Sequence, residues 1–189
     1  MTLGRIVLAA LALGLCSSMA STAQAAQLDV DLSDKSARID YRFELTDTGL
    51  KADVGLLHHK DDGDLLYAGI VLVGDAAQST EAFTAGLGLR ISAIDADAAG
   101  DGAALAIGGF LRYVFPDYNR FAIGGDAYIA PSVTSFGDLD RYYEVSLRGE
   151  YRITKNAGLY VGAREVEGDF GPGYATIDDG LFVGISLDF

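Results

Sequence analysis

Two adjacent histidines are the residues whose types and spacing first suggest chemistry in this chain. His58 and His59 are the only two histidines. The acidic residues Asp61, Asp62 and Asp64 follow them. A histidine–aspartate pair can activate water or a serine, but no serine stands in a nucleophile-elbow sequence. Adjacent side chains of a strand point to opposite faces, which poorly suits two ligands of one metal. We therefore predict no catalytic residue, metal or cofactor, and a hydrolase is the weakest alternative.

A larger set of charged side chains alternates with apolar ones. Between residues 36 and 46, every second residue is apolar, from Ala37 to Leu45. A period of two indicates a strand with one apolar and one polar face rather than a helix. The same alternation returns along most of the chain. The charged residues that share the polar face are Arg38, Asp40, Arg42, Glu44, Lys51, Asp53, Arg90, Arg112, Asp126, Glu144, Arg148, Glu150, Arg152 and Arg164.

The elements that must position these charges are strands. The pattern predicts ten of them, at residues 27–32, 36–46, 50–59, 65–74, 83–93, 103–115, 120–130, 141–153, 158–167 and 180–189. Most approach the length of about 9–11 residues that a tilted strand needs to cross a bilayer. We predict an all-β fold, an antiparallel up-and-down transmembrane β-barrel with the charged face in its lumen. Eight strands remain an alternative if two early segments are not strands.

The last nine residues form the clearest of these strands. Its apolar face is fully occupied and the chain ends on an aromatic residue. Such a strand is typical of the C-terminus of outer-membrane barrels, where it serves as the assembly signal. A soluble edge strand can show the same alternation. The residues of the apolar face are Leu181, Val183, Ile185, Leu187 and Phe189.

The N-terminus has the order of a secretory signal peptide. Arg5 precedes an apolar run and a segment of small residues that ends at Ala25. We predict residues 1–25 as a cleaved signal peptide and residues 26–189 as the barrel. Cys16 raises lipidation as an alternative, although Leu15 does not fit a lipobox. Cleavage after Ala25 would leave a mature chain without cysteine.

The charge balance is strongly acidic. The chain has 14 lysines and arginines against 27 aspartates and glutamates, which argues against a nucleic-acid partner. Much of the excess falls in predicted outer loops, including residues 94–102 and 168–179. Such loops could bind divalent cations or remain a solvated acidic surface. These residues are Asp61, Asp62, Asp64, Asp95, Asp97, Asp101, Asp138, Asp140, Glu165, Glu167, Asp169, Asp178 and Asp179.

The signal peptide, the ten-strand alternation and the end Leu-Phe-Val-Gly-Ile-Ser-Leu-Asp-Phe together resemble the YfaZ-type outer-membrane proteins. The resemblance covers the whole mature chain and rests on pattern, size and the two ends. It implies a location in the outer membrane of a Gram-negative bacterium and a porin-like barrel, and it brings no reaction. The partners that follow are lipid, lipopolysaccharide and the barrel-assembly machinery, which would read the C-terminal strand.

Two functions remain open at this point. Inward glycines and alanines create space, which favours a narrow porin-like passage for small solutes. Inward aromatic residues and arginine–carboxylate pairs favour a filled barrel with a structural or interaction role at the envelope, since a barrel of about eight strands has just enough room for its side chains. A soluble periplasmic barrel is a third class, and it would need the apolar outer face to be covered.

Overall fold

The computed structural model describes residues 25–45, 49–75, 82–97, 99–171 and 173–189. The predicted signal peptide, Cys16 included, lies outside these residues except for Ala25. Within the described ranges, no helix is long and apolar enough to span a membrane. The strands are β1 (Ala26–Leu32), β2 (Ser36–Glu44), β3 (Leu50–His59), β4 (Gly63–Asp75), β5 (Phe83–Ala96), β6 (Gly100–Val114), β7 (Phe121–Ala130), β8 (Ser135–Gly137), β9 (Arg141–Arg152), β10 (Ala157–Asp169) and β11 (Tyr174–Asp188).

Ten of these strands close into one antiparallel barrel. Each pairs with its neighbours in chain order, β7 pairs with β9, and β11 pairs with β1 to close the ring. The eleventh strand, β8, is three residues long and continues the line of β7 along the end of β6. Pro131 stands between β7 and β8, and it lacks the N–H that a continuous ladder would need. The prediction of ten barrel strands is confirmed.

The barrel has two chemically different ends. We call the end that carries Ala26 and Phe189 the proximal rim. Its described connections include residues 115–120 and 153–156. The described residues at the opposite end, the distal rim, include the connections at residues 33–35, 60–62 and 131–140, together with residues 97, 99, 170, 171 and 173.

Two of the predicted outer loops are wrong. Residues 94–96 and 100–102 continue β5 and β6, which pair as far as Ala96 and Gly100. Likewise β10 and β11 pair as far as Asp169 and Tyr174. The alternation of buried and exposed side chains continues through the added parts of β5 and β10, so these strands run on beyond the length that a bilayer requires. Many of the acidic residues therefore lie on strands.

The outer face is an apolar belt. Large aliphatic side chains on many of the barrel strands are about half exposed or more. The C-terminal face contributes Leu181, Val183, Ile185 and Phe189, with Leu187 only partly exposed. Near the proximal rim, aromatic side chains pair on the same face. These pairs are Tyr41–Phe43, Tyr113–Phe115 and Phe121–Tyr151, with ring centroids 5.6, 5.2 and 4.9 Å apart.

Candidate functional site: the barrel lumen

The fourteen charged residues predicted for the lumen all fall on the inward phase of their strands. Most are buried or partly buried. Three lie at the proximal rim: Glu44 and Lys51 form a partly exposed ion pair of 3.0 Å, and Arg152 is exposed at the opening. Side chains of a barrel strand alternate between the lumen and the exterior, so charged residues at every second position point inward.

The middle of the lumen is crossed by an ion-pair network, which we call the central cluster: Arg38, Asp53, Arg90 and Glu144. Arg38 donates to one oxygen of Glu144 at 2.6 Å, and Arg90 donates to the other at 3.0 Å. Arg90 also donates to Asp53 at 2.8 Å. The four side chains come from β2, β3, β5 and β9, so the cluster ties opposite walls of the barrel together.

Tyrosines complete the central cluster. The guanidinium carbon of Arg90 lies 3.9 Å from the ring centroid of Tyr67 and 3.7 Å from that of Tyr128. Arg90 is thus held between two rings, an arrangement that favours arginine over lysine. Tyr67 accepts a hydrogen bond from Arg38 at 2.8 Å, and Tyr142 donates one to Glu144 at 2.7 Å. Buried charges of this kind persist only when they are paired and hydrogen-bonded.

A second network joins β1, β9, β10 and β11. Arg164 donates to Asp178 at 2.7 Å and to Asp31 at 3.1 Å. Arg148 donates to Asp29 at 2.9 Å. All three carboxylates are buried, and none of them belongs to the set of charged residues predicted for the lumen.

The three carboxylates differ in how well the sequence pattern predicts that they point into the lumen. Asp29 and Asp31 alternate with the apolar residues of β1, so the period of two already indicated their phase. Asp178 gave no such signal. A β-bulge shifts the register between Val166 and Glu167, and Ile177 and Asp178 are both buried as a result. A bulge breaks strict alternation in this way, and Asp178 had been assigned to an outer loop.

Inward aromatic rings are seated on inward glycines. Six aromatic residues face the lumen from the barrel strands, and each lies directly opposite a glycine of a neighbouring strand. A Cβ on five of these glycines would collide with the ring it faces. The pairs are Tyr67–Gly55, Phe110–Gly86, Tyr128–Gly108, Tyr142–Gly168, Tyr160–Gly184 and Phe182–Gly162.

This pairing corrects the expectation that the inward glycines open the lumen. Gly86, Gly108 and Gly162 are occupied by the rings they face, and a Cβ on Gly88 would meet Val71. Gly124 keeps space, since the nearest neighbour of an added Cβ is a backbone oxygen 3.4 Å away. The glycines therefore serve mainly to accommodate aromatic rings.

The distal half of the lumen is an apolar core. Leu57, Leu65, Ile94, Val166 and Ile177 are almost completely buried there. Two residues of the distal connections complete it, namely Leu139 and Phe170. A Cβ on the inward Gly102 or Gly168 would touch Leu139, which places this side chain inside the barrel opening.

Solvent-inaccessible side chains point into the lumen from every barrel strand, and we call this set the solvent-inaccessible layer. Each of the ten barrel strands contributes at least one inward side chain that is no more than 6% exposed. Side chains that line a water-filled path would be exposed to water. One such residue from each strand, in chain order, is Asp31, Arg38, Leu57, Leu65, Ile94, Ala104, Ala130, Tyr142, Val166 and Ile177.

The proximal half of the lumen is hollow. A cavity of about 240 Å³ lies there, and we call it the proximal vestibule. Its lining includes Gly124, Phe110 and Tyr160 together with several arginines. Arg112 and Arg148 both donate to Glu150, at 2.8 and 2.9 Å. None of its lining residues belongs to the distal half of the lumen, so this cavity does not extend to the distal rim.

The histidines lie at the distal rim and point to opposite sides. His58 is exposed, and its Nδ1 lies 2.5 Å from an oxygen of Asp64 across the β3–β4 ladder. His59 is buried, and its Nδ1 accepts the backbone N–H groups of Asp61 and Asp62 at 3.3 and 3.0 Å. His59 therefore caps the β3–β4 turn, a local structural role.

The distal rim is acidic and locally paired. Lys35 lies 3.3 Å from Asp61, and the hydrogen bond and charge of that carboxylate raise the pKa of Lys35. Tyr143 bonds to Glu165 and Glu167 on the outer side of β10. Among the described residues, no group of three or more potential ligands is arranged to hold a metal ion.

The closed ten-strand barrel, with an apolar exterior and a charged interior, defines the class as an antiparallel β-barrel of the membrane type. The chain belongs to the YfaZ family, because the sequence profile of that family, described as YfaZ precursor, matches residues 3–189. None of the curated protein sequences is similar enough to count as a match.

Two solved structures are similar in fold. One is described as "KdgM porin in complex with disordered oligogalacturonate"; it is 12% identical in sequence, with a TM-score of 0.46, over 87% of this chain and 99% of that chain. The other is described as "Unveiling the Mechanism Behind the in-meso Crystallization of Membrane Proteins"; it is 10% identical, with a TM-score of 0.42, over 88% of this chain and 83% of that chain.

Proposed function

We propose that the protein is an integral outer-membrane β-barrel with a closed lumen, which acts at the envelope by binding or structural support rather than by conduction. The solvent-inaccessible layer is the observation that carries this proposal. It includes both ion pairs and an apolar core, so that opening it would expose apolar side chains to water and separate buried charges. Both costs favour the closed state.

The outer face supports the location. A continuous exposed apolar belt is unfavourable in water, whereas in a bilayer it contacts acyl chains. The closed ring of strands also leaves the backbone polar groups paired, as a membrane requires. The aromatic pairs near the proximal rim have the position of an interfacial girdle. Membership of a family described as a precursor agrees with export.

Lipid and the assembly machinery are the partners proposed for this exterior. The belt faces acyl chains, and the acidic distal rim would lie among lipopolysaccharide phosphates, where bridging divalent cations could join the two. The machinery that inserts barrels would read the C-terminal face of β11. The same strand pairs with β1 to close the ring, so we infer that recognition of β11 by the machinery is linked to closure of the barrel.

A narrow passage for small solutes is the second candidate. The proximal vestibule favours it, because half of the lumen is already hollow. Some polar atoms of the clusters lack hydrogen-bond partners among the described residues, including Nε of Arg90 and Oδ1 of Asp53. A conducting state would need the central cluster and the distal core to rearrange together.

Liposome swelling distinguishes the two candidates. Proteoliposomes that contain the refolded mature protein are placed in isotonic solutions of small sugars, amino acids and dicarboxylates, with protein-free liposomes as control. Heat-dependent gel mobility verifies that the protein is folded. A closed barrel gives the swelling rate of the control for every solute. Swelling that falls with increasing solute size would support a narrow passage and contradict the closed lumen.

A further inference from the structure

The proximal vestibule concentrates positive charge in an acidic protein. The full chain has a formal net charge of −13. Six cationic residues line the vestibule against three carboxylates. The cationic residues are Arg42, Lys51, Arg112, Arg120, Arg148 and Arg152, and the carboxylates are Asp126, Glu150 and Asp188. A concave wall with low-dielectric surroundings strengthens the field of such a cluster.

Three of the arginines form no close ion pair with a carboxylate among the described residues. Arg112 and Arg148 share Glu150, and Lys51 pairs with Glu44. In contrast, no ion pair within 4.0 Å joins Arg42, Arg120 or Arg152 to a carboxylate in the part of the chain that the structure describes. All three line the same cavity, which leaves them available to an anion that enters it.

Arg42 is the most informative of the three. Its guanidinium carbon lies over the ring of Phe110, 5.3 Å from the ring centroid, a cation–π contact. Its Nε is inaccessible to solvent and has no hydrogen-bond partner among the described residues. A buried donor without an acceptor costs free energy, so the Nε keeps its charge uncompensated while the side chain lines the vestibule, where an anion can approach the guanidinium.

We propose that the proximal vestibule is a binding site for a small multivalent oxyanion, of the carboxylate or phosphate class, with Arg42 as its principal contact. A planar guanidinium donates two parallel hydrogen bonds to such groups. The volume of about 240 Å³ is large enough for a small anion. The ligand would enter from the proximal side, because the central cluster closes the other end of the vestibule.

Calorimetric titration tests this site. The refolded mature protein, in a nonionic detergent at low ionic strength, is titrated separately with citrate and with inorganic phosphate, which distinguishes the two anion classes. We expect saturable binding near one ligand per chain. Arg42→Gln should weaken it about tenfold or more, the effect of losing a hydrogen bond from a charged donor. Gly124→Leu should also weaken it, since it fills the vestibule without changing charge.

Arg141→Gln is the matched control. Arg141 is exposed at the distal start of β9, so its substitution changes the net charge equally but far from the vestibule. We expect its affinity to equal that of the wild type. Equal weakening by Arg42→Gln and Arg141→Gln, or no saturable binding of either anion, would overturn the proposal. The site does not depend on closure: a protein that binds citrate and also conducts would refute the closed lumen alone.

Discussion

At the scale of single residues, Glu144 is a buried carboxylate whose charge depends on its partners in the lumen. It comes from β9 and accepts hydrogen bonds from two arginines and one tyrosine of the lumen. It therefore neutralises charges contributed by β2 and β5. Removing one partner of a buried ion pair is far more costly than replacing both, because the remaining charge stays buried.

Glu144→Gln keeps the shape of the side chain and removes its charge. We expect the free energy of unfolding to fall by about 3–5 kcal/mol, since Arg38 and Arg90 lose their shared counter-charge. Urea titration in detergent, followed by circular dichroism, measures this. Glu44→Gln is the control: its ion pair with Lys51 is partly exposed, and its loss should cost about 0–1 kcal/mol. Equal effects of the two substitutions would contradict the importance of the central cluster.

The glycines opposite the aromatic rings make a second prediction. A Cβ on Gly184 would collide with the ring of Tyr160, while a Cβ on Gly149, on the outer face, would meet no heavy atom within 4 Å. Gly184→Ala should lower the free energy of unfolding by about 1–3 kcal/mol through overpacking. Gly149→Ala should leave it unchanged or raise it by up to about 1 kcal/mol. A neutral Gly184→Ala would mean that the ring is not seated as described.

The phase of each strand could be predicted from the sequence because side-chain direction has a period of two. The environment of a single residue was harder to predict where it depends on a residue of a neighbouring strand. Gly86 and Gly108 look like empty positions in the sequence, since the ring that fills each comes from a neighbouring strand. The meeting of Arg38, Arg90 and Glu144 likewise depends on register across the barrel, which alternation alone does not specify.

At the scale of elements, the C-terminal strand β11 pairs with two neighbouring strands. It pairs with β10 over almost its whole length, and residues Val183–Asp188 pair with Gln27–Leu32 of β1. Its outer face carries the apolar residues predicted as the assembly signal. The bounds of this strand were predicted too short at the distal end, because acidic residues such as Asp178 and Asp179 indicated a loop. A β-bulge lets the strand continue while Asp178 turns into the lumen to meet Arg164.

Phe189→Ser tests the assembly signal separately from stability. Phe189 is exposed, so we expect refolding into detergent in vitro to match the wild type. In cells, the amount of folded, heat-modifiable protein in the outer membrane should fall clearly, because the assembly machinery loses its terminal aromatic. Phe121→Ser removes another exposed aromatic residue near the same rim and should assemble normally. Normal assembly of Phe189→Ser would refute the signal.

At the scale of the whole molecule, the two ends have opposite character. The proximal vestibule is basic, and the distal rim is acidic and includes exposed Asp61, Asp62, Asp97 and Asp138. Between them lie the central cluster and the apolar distal core. An anion and a cation would therefore meet the barrel at different ends.

This polarity predicts the orientation in the membrane. Cys16 is the only cysteine and lies in the predicted signal peptide, so an introduced cysteine can be labelled alone. In intact cells, a membrane-impermeant maleimide should label Asp97→Cys at the distal rim. It should label Thr154→Cys at the proximal rim only after the outer membrane is permeabilised. The reverse pattern would place the acidic rim in the periplasm and contradict the proposed orientation.

Single-channel recording tests the closed lumen most directly. The refolded mature protein is inserted into planar lipid bilayers, and gel mobility and protease protection establish that it is folded and inserted. The structure predicts a silent bilayer in simple salt solutions at moderate voltage, because every barrel strand places a solvent-inaccessible side chain in the lumen. Reproducible conductance steps from the wild-type protein, reduced by Gly124→Leu in the vestibule, would show a continuous ion path and contradict the account.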